Sequence, residues 1–316
     1  MKRRPLVVGL AALAVFFVLD RGIAFVLSQA FERLHTGEQA GLANYAIHQT
    51  DAQVVVFGSS RAVYHIDPAV LRRDLSLSAF NAGLPGQGIR YARAIEALLL
   101  QRGSHARLFV LNVDPRDLWE SQPARLQRLA PFYGRNAVVD ALLEESTPTA
   151  WIKLRLRTYR YNGLVLPILA NWLRSRPDPG DGFRTLPPDR PQDLRARSEP
   201  QDPGPVHEDM SRLFAAFIDD ARAQGIRVAL VDGPRWAPDG PSAIDRIGHA
   251  HLAALARRHG AAWILIDEEN DPFFRDARYF ADVAHLTHEG AEHFSQRLAE
   301  ALRPIVAGVA GPAPAR

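Results

Sequence analysis

The stretch Gln53-Val-Val-Val-Phe-Gly-Ser-Ser-Arg-Ala62 constrains the fold of this chain more than any other. Val54 to Phe57 are apolar without polar alternation, which fits a strand covered on both faces, central in a parallel sheet. Gly58 permits a tight turn directly after it. Ser59 and Ser60 then stand at the strand's carboxyl end, where open α/β sheets place their ligands. A serine in such a turn is commonly only a turn residue. Either hydroxyl becomes a candidate nucleophile only if another part of the chain supplies a base.

The remaining chain repeats the strand and helix alternation. Asp67-Pro68 is a helix start, since Asp67 can cap the orphan amides and Pro68 is tolerated at the first helical position. A strand over 75–80 leads into Asn81-Ala-Gly-Leu-Pro-Gly-Gln-Gly88 and a helix over 89–101, and a strand over 108–113 ends in Asp114-Pro115. Helix 208–224 closes on Gly225 before strand 226–231, and helix 242–259 closes on Gly260 before strand 261–266. This order predicts a doubly wound, mostly parallel sheet of about five strands with helices on both faces. Residues 116–206 interrupt the pattern. Within them, 177–205 hold 8 of the 23 prolines among charged residues, as an irregular loop does. Trp151-Ile-Lys-Leu-Arg-Leu-Arg-Thr-Tyr-Arg160 beside the apolar Leu164 to Leu169 suits either an anionic membrane surface or, more commonly, an ordinary amphipathic element with solvated arginines.

Lys2-Arg3-Arg4 precedes an apolar run from Leu6 to Leu19, then Asp20-Arg21, then Ile23 to Leu27. The first run rises only about 21 Å as a helix, short of the roughly 30 Å hydrocarbon layer. A span therefore needs the segment to reach Leu27, with Asp20 and Arg21 near the outer interface. Ser28-Gln29-Ala30 has the small-x-small form of a signal-peptidase site, but its distance from the main apolar run and the intervening charges favour an uncleaved anchor. The amino-terminal positive cluster keeps that end in the cytoplasm, so the body is expected outside the cytoplasmic membrane, in the periplasm or exterior. Residues 1–30 are read as the anchor, 31–50 as a polar helical stalk, and 51–310 as the α/β domain carrying an insertion at 116–206. Lys+Arg (38) and Asp+Glu (35) nearly balance and no basic run stands out, which sets nucleic acid aside. The absence of cysteine excludes a disulfide framework and thiolate zinc sites.

The base comes near the carboxyl terminus, in Asp282-Val-Ala-His-Leu-Thr-His-Glu-Gly-Ala-Glu-His293. A helical metal site would need histidines four apart, whereas His288 and His293 are five apart, about 140° around a helix. Asp282 and His285 pair better: at a loop-to-helix junction the carboxylate can hold one imidazole nitrogen while the other faces a nucleophile, with His285 as general base and Asp282 as its orienter.

Gly-x-Ser after the first strand, an Asn-x-Gly-x-x-Gly loop after the second and Asp-x-x-His before the last helix together resemble the SGNH (GDSL) hydrolase superfamily. The likeness covers roughly 51–120 and 208–302. It implies a flavodoxin-like three-layer α/β/α fold and serine-dependent acyl-ester chemistry, with no metal or organic cofactor. It places the nucleophile on Ser60, the base and its orienter on His285 and Asp282, and oxyanion donors on the amides of Ser60 and Gly86. The anchor and the Phe57-Gly-Ser-Ser start are similar to the members that modify cell envelopes, including D-alanyl transfer proteins and alginate-type O-acetyltransferases. That likeness implies an acyl-ester or carbohydrate substrate and a membrane-bound acyl-donor partner. One block departs. Where the family has an oxyanion-binding Asn, Leu111-Asn-Val-Asp-Pro115 puts Asp114, whose charge would repel an oxyanion. Asn112 or Asn81 is then expected to substitute, unless Asp114 has another job or the protein turns over slowly.

Overall fold

Val54–Phe57 form strand β1, and every one of its residues is buried. Val54 and Val56 point to one face, where they join Leu108, Val110, Ala229, Val231 and the inward side of the last helix, Phe294, Leu298 and Leu302. Phe57 points to the other, in edge contact with Phe109 (4.9 Å between centroids) and Phe217 (5.2 Å). Each such side chain contributes about 1.5–3 kcal/mol by burial, and aromatic pairs add about 0.5–1.5 kcal/mol. A strand with two dry faces has no place for a polar residue, which explains the unbroken apolar run.

The structure, a computed structural model, describes residues 3–35, 41–119, 123–173, 180–186, 192–194 and 202–308. In chain order the helices are α1 (Arg3–Phe31), α2 (Gly41–His48), α3 (Ser60–His65), α4 (Pro68–Leu75), α5 (Ile89–Arg102), α6 (Ala137–Glu144), α7 (Ala150–Lys153), α8 (Val165–Leu173), α9 (Glu208–Ala223), α10 (Ala243–His259) and α11 (His288–Ala307). The further strands are β2 (Ala79–Asn81), β3 (Leu108–Asn112), β4 (Arg227–Asp232) and β5 (Ala262–Leu265). The chain divides into two compact units: one from the described residues of 1–45 and 123–179, the other from those of 46–122 and 180–316.

The second unit holds a five-stranded sheet of order β2-β1-β3-β4-β5, parallel throughout. α3, α4 and α11 pack together as one layer, and α5, α9 and α10 as the other. This is the α/β sandwich expected, with the flavodoxin-like strand order whose switch point lies between β1 and β3. The turns after those two strands, at Gly58-Ser59-Ser60 and at Asp114, therefore border the crevice where ligands bind in such sheets. Asp67 caps α4 by accepting from Ala69 N at 2.7 Å, with Pro68 at its first position. α4 continues to Leu75 and stops on a left-handed Ser76 (φ 54°), so β2 starts at Ala79 rather than at 75.

In the first unit α1 is long and apolar enough to cross a membrane. Within 31–50, read as a polar helical stalk, α2 is helical, while Phe31, Leu34, Leu42 and Ala43 are buried, and Asn44 Nδ2 donates to the carbonyls of Phe31 (2.7 Å) and Leu34 (3.0 Å). The interruption at 116–206 is not one insertion. Residues 123–173 are helical and belong with α1, while the described residues from 180 onward belong with the sheet. Of the Pro-rich stretch, 177–179, 187–191 and 195–201 lie outside the described residues. What is described of it is tied down: Asn81 N donates to Asp181 O (2.8 Å) and Arg184 N to Val63 O (3.1 Å), and Asp193 pairs in parallel with Asp282.

Candidate active site

Gly58 has φ +143°, and a Cβ there would lie 2.6 Å from Asn112 O and 2.9 Å from the Ala62 side chain. Only glycine lets β1 pass over the end of β3 and turn at once into α3. Ser59 is the N-cap of that helix, its hydroxyl facing Arg61 N at 3.4 Å, so Ser60 is left as the first-turn residue. Ser60 Oγ lies 2.7 Å from His285 Nε2, and His285 Nδ1 lies 2.9 and 3.0 Å from the two oxygens of Asp282. The same carboxylate accepts from Ala284 N (2.9 Å) and His285 N (3.0 Å), which fixes the loop that carries it. An ionised carboxylate only accepts, so Nδ1 carries the proton and the Nε2 lone pair faces the serine hydroxyl. Ser60, His285 and Asp282 are all partly exposed, so the hydroxyl is within reach of a ligand.

The other expected residues are placed differently. Both N–H donors of Asn81 are engaged, by Ala62 O (2.7 Å) and Ile66 O (3.0 Å), while its oxygen accepts from Gly83 N. Asn81 therefore ties the end of β2 to α3 and has no donor left for an oxyanion. Asn112 is buried beneath Gly58 with its amide 3.4 Å from Val231 O. Asp114 caps the short turn 115–118 by accepting from Arg116 N (3.0 Å), and its charge is met by Arg235 (2.9 Å) and Arg116 (3.4 Å). A carboxylate so paired repels an incoming anion far less than a bare one. Gly86 is exposed at the tip of its loop with φ +73°, and that loop is held to the nucleophile turn by Leu84 N donating to Gly58 O at 3.0 Å. His293 turns to Asp271 (2.8 Å) and stacks on Phe273, away from any shared ligand with His288.

Two side chains beside the site went unremarked in the sequence. Arg61 follows the nucleophile yet is buried, donating to Gly233 O (2.5 Å) and pairing with the equally buried Asp232 at 2.5 Å. Asp232 in turn meets His249 Nε2 at 2.7 Å. Burial alone would lower the His249 pKa, but its bond to Asp232 and that carboxylate's charge outweigh this, and it stands above the ordinary imidazole value. His65, fully buried at the end of α3, accepts from Leu286 N at 3.2 Å and so pins the loop carrying Asp282 and His285. Burial first, then the charges of Arg61 and His285, push its pKa well below the usual range and keep it neutral, as an acceptor must be. The available signal was a histidine and an arginine on one short helix that starts at the nucleophile. At the rim, Tyr64 stands edge-on to His285 (5.4 Å), and Trp236 donates its amide to Val283 O (3.0 Å).

No protein-family model matches this chain, and no curated protein matches it.

Proposed function

We propose that the protein is a serine-dependent acyl-ester enzyme of the cell envelope that works through an acyl-Ser60 intermediate. The observation that carries this reading is the unbroken chain Ser60 Oγ, His285, Asp282, with contacts of 2.7 to 3.0 Å, at the carboxyl edge of the sheet. Ser60 Oγ attacks the acyl carbonyl carbon while its proton passes to His285 Nε2, and Asp282 holds the imidazolium that forms. The tetrahedral oxyanion is held by the amide of Ser60, which by its first-turn position has no intrahelical acceptor, and by that of Gly86. On collapse the leaving alcohol takes the proton from His285. A second hydroxyl then gives its proton to the same nitrogen, attacks the acyl-serine carbonyl and leaves as the new ester, and Ser60 regains its proton.

The second hydroxyl is assigned to an envelope carbohydrate, and the reaction to O-acyl transfer, acetyl in the first instance. Support comes from the membrane-grade helix α1, read as a single pass through the cytoplasmic membrane with the body in the periplasm or exterior. The segments at 180–186 and 192–194, anchored beside α3 and the Asp282 loop by Phe183 and Leu194 against the core and carrying Arg184, Thr185 and Gln192, give further support. Polar walls hydrogen-bond hydroxyls and discriminate strongly between acceptors. A membrane-bound partner would supply the activated acyl group, since cytosolic donors do not reach that side. Hydrolysis of small acyl esters by the same triad is the alternative. A non-catalytic envelope assembly protein that retains the fold is a second reading, favoured by Asp114 standing where an oxyanion donor is expected.

A fluorophosphonate probe decides between enzyme and remnant: wild type is expected to label and Ser60→Ala not, and equal labelling would end the enzymatic reading. Incubation with p-nitrophenyl acetate, with and without oligosaccharides, separates transfer from hydrolysis. Acylated sugar that disappears in Ser60→Ala supports transfer. Hydrolysis unchanged by acceptors supports an esterase.

A further inference from the structure

α1 exposes apolar side chains from Leu6 to Leu19 and again at Ile23, Phe25 and Val26. From Leu6 to Val26 the helix rises about 30 Å, one hydrocarbon thickness, so a bilayer fitted to that bare surface ends near Val26. Asp20 then lies six residues, about 9 Å, inside it. Its carboxylate is not bare. It accepts from Arg157 N (3.0 Å), Thr158 N (2.9 Å) and Thr158 Oγ1 (2.7 Å), and pairs with Arg21 at 2.9 Å. The segment that satisfies Asp20 must therefore sit at the same depth, and it carries α7 and α8 with it.

Those two helices are dressed for that depth. Leu166 (78% exposed), Leu169 and Leu173 (75% exposed) recur at i, i+3 and i+7 along one side of α8, while Ile168 turns inward. Trp151 and Ile152 are bare on α7. Lys153, Arg155 and Arg157 are exposed beside them, and Arg155 lies over the Trp151 ring at 5.4 Å. Apolar bodies with cationic tips are the profile of an interfacial element on an acidic leaflet. α8 also packs against α1, and Asn171 Nδ2 donates to Arg33 O at 3.0 Å, so its bare stripe continues the lipid-facing surface of the anchor.

We propose that α7 and α8 are immersed in the leaflet on the body's side, with Leu166, Leu169, Leu173, Trp151 and Ile152 among acyl chains and Lys153, Arg155 and Arg157 at acidic headgroups. The inference rests on the reading of α1 as a span, and the test separates the two. The chain has no cysteine, so single-cysteine variants of the full protein can be spin-labelled without background. Leu13→Cys, Leu166→Cys, Leu169→Cys and Glu300→Cys are labelled and reconstituted in phosphatidylcholine vesicles with and without phosphatidylglycerol. Collision with oxygen, which concentrates in lipid, is compared with collision with a water-soluble nickel chelate. The expected result is oxygen exceeding nickel at 13, 166 and 169, the reverse at 300, and a higher oxygen-to-nickel ratio at 166 with phosphatidylglycerol present. A lipid-like 13 with nickel-accessible 166 and 169 would overturn the immersion alone. Labels at 166 and 169 shielded from both reagents would overturn it in favour of a second protein copy, and an aqueous 13 would overturn the spanning reading as well. Equal ratios in the two lipids would remove the role given to the three cations.

Discussion

Replacing Arg61 by methionine tests whether the buried ion pair behind the nucleophile is as consequential as its burial implies. Both partners are 2% exposed at the side chain, so the substitution leaves the Asp232 charge in a dry site with only Gly233 N (2.9 Å) and His249 (2.7 Å) to hold it. Removing one partner of such a pair costs about 3–5 kcal/mol. For a body the size of the sheet unit, 1 kcal/mol moves Tm by about 2–4 °C, so a fall of about 6–20 °C is expected. The loss has a pH signature. The folded-state pKa of His249 is already raised, and the Arg61 charge is among the causes opposing that rise, so its removal lifts the value further. A group raised in the folded state stabilises below its unfolded pKa, about 6.5 for histidine, and loses that contribution as pH climbs through the folded value. Arg61→Met should therefore lie closer to wild type at about pH 5.5 than at about pH 8.5. Arg61→Met with Asp232→Asn should recover about 1–3 kcal/mol of the loss, because no uncompensated charge remains, while the bonds to Gly233 O and Val113 O, worth about 1 kcal/mol each, stay lost. Thermal unfolding of the detergent-solubilised full chain, followed by tryptophan fluorescence, gives all of these values. A single variant within about 1 kcal/mol of wild type, a double variant no better than the single, or a loss equal at both pH values would refute the reasoning.

Asp282→Asn should slow fluorophosphonate labelling by about 10⁴ with Tm nearly unchanged, because an amide favours the wrong imidazole tautomer; a rate within tenfold of wild type would deny Asp282 its orienting role. Asp114→Asn keeps the cap of residues 115–118 but strips Arg235 and Arg116 of a half-exposed carboxylate, so a loss of about 1 kcal/mol and no gain in esterase rate are expected; a gain of about 10²–10³ would place position 114 at the oxyanion after all. His65→Leu leaves the Leu286 amide unpaired in a buried site and should cost about 1–3 kcal/mol, whereas His65→Gln can keep an acceptor there. Because the His65 pKa is depressed in the folded state, its contribution is full above about pH 6.5 and is lost below it at about 1.4 kcal/mol per pH unit; unfolding midpoints between about pH 7 and about pH 4.5 should fall less steeply in His65→Gln than in wild type.

The centre of the sheet was legible because β1 and β3 are dry on both faces: Val54-Val-Val-Phe57 and Leu108-Phe-Val-Leu111 leave nothing but a central position open to them, and Gly225 and Gly260 mark where helices stop. The Asp282 and His285 pair was legible for a local reason, since three residues separate its members. The nearness of Ser60 to His285, 225 positions apart, is set by tertiary structure, and only the ordered motifs hinted at it. An amide at a strand end serves equally to donate to a ligand and to tie backbone together, and at Asn81 the nearness of the Ala62 and Ile66 carbonyls decides for the second. Arg61 and His65 escaped because polar residues on a short helix ordinarily read as solvated. Here α11 and the ends of β3 and β4 cover them. The grouping of 123–173 with α1 and the residues after it is not legible in the sequence, because segments about a hundred residues apart share one compact unit.

The bond between Asp20 and the amides of Arg157 and Thr158 also sets a timetable for biogenesis. On the reading of α1 as a span, the ribosome must make 137 further residues after Asp20 before the first backbone partner of its carboxylate exists. At about 5–20 residues per second that interval is about 7–30 s. Through it the helix carries a carboxylate whose insertion costs up to about 2.5–3.5 kcal/mol at the bilayer centre and less toward the surface, with only Arg21 beside it. On the proposed reading of α1 as a span, a nascent chain halted before Arg157 should hold its anchor more weakly than one in which the segment at 157–158 has folded back onto the helix.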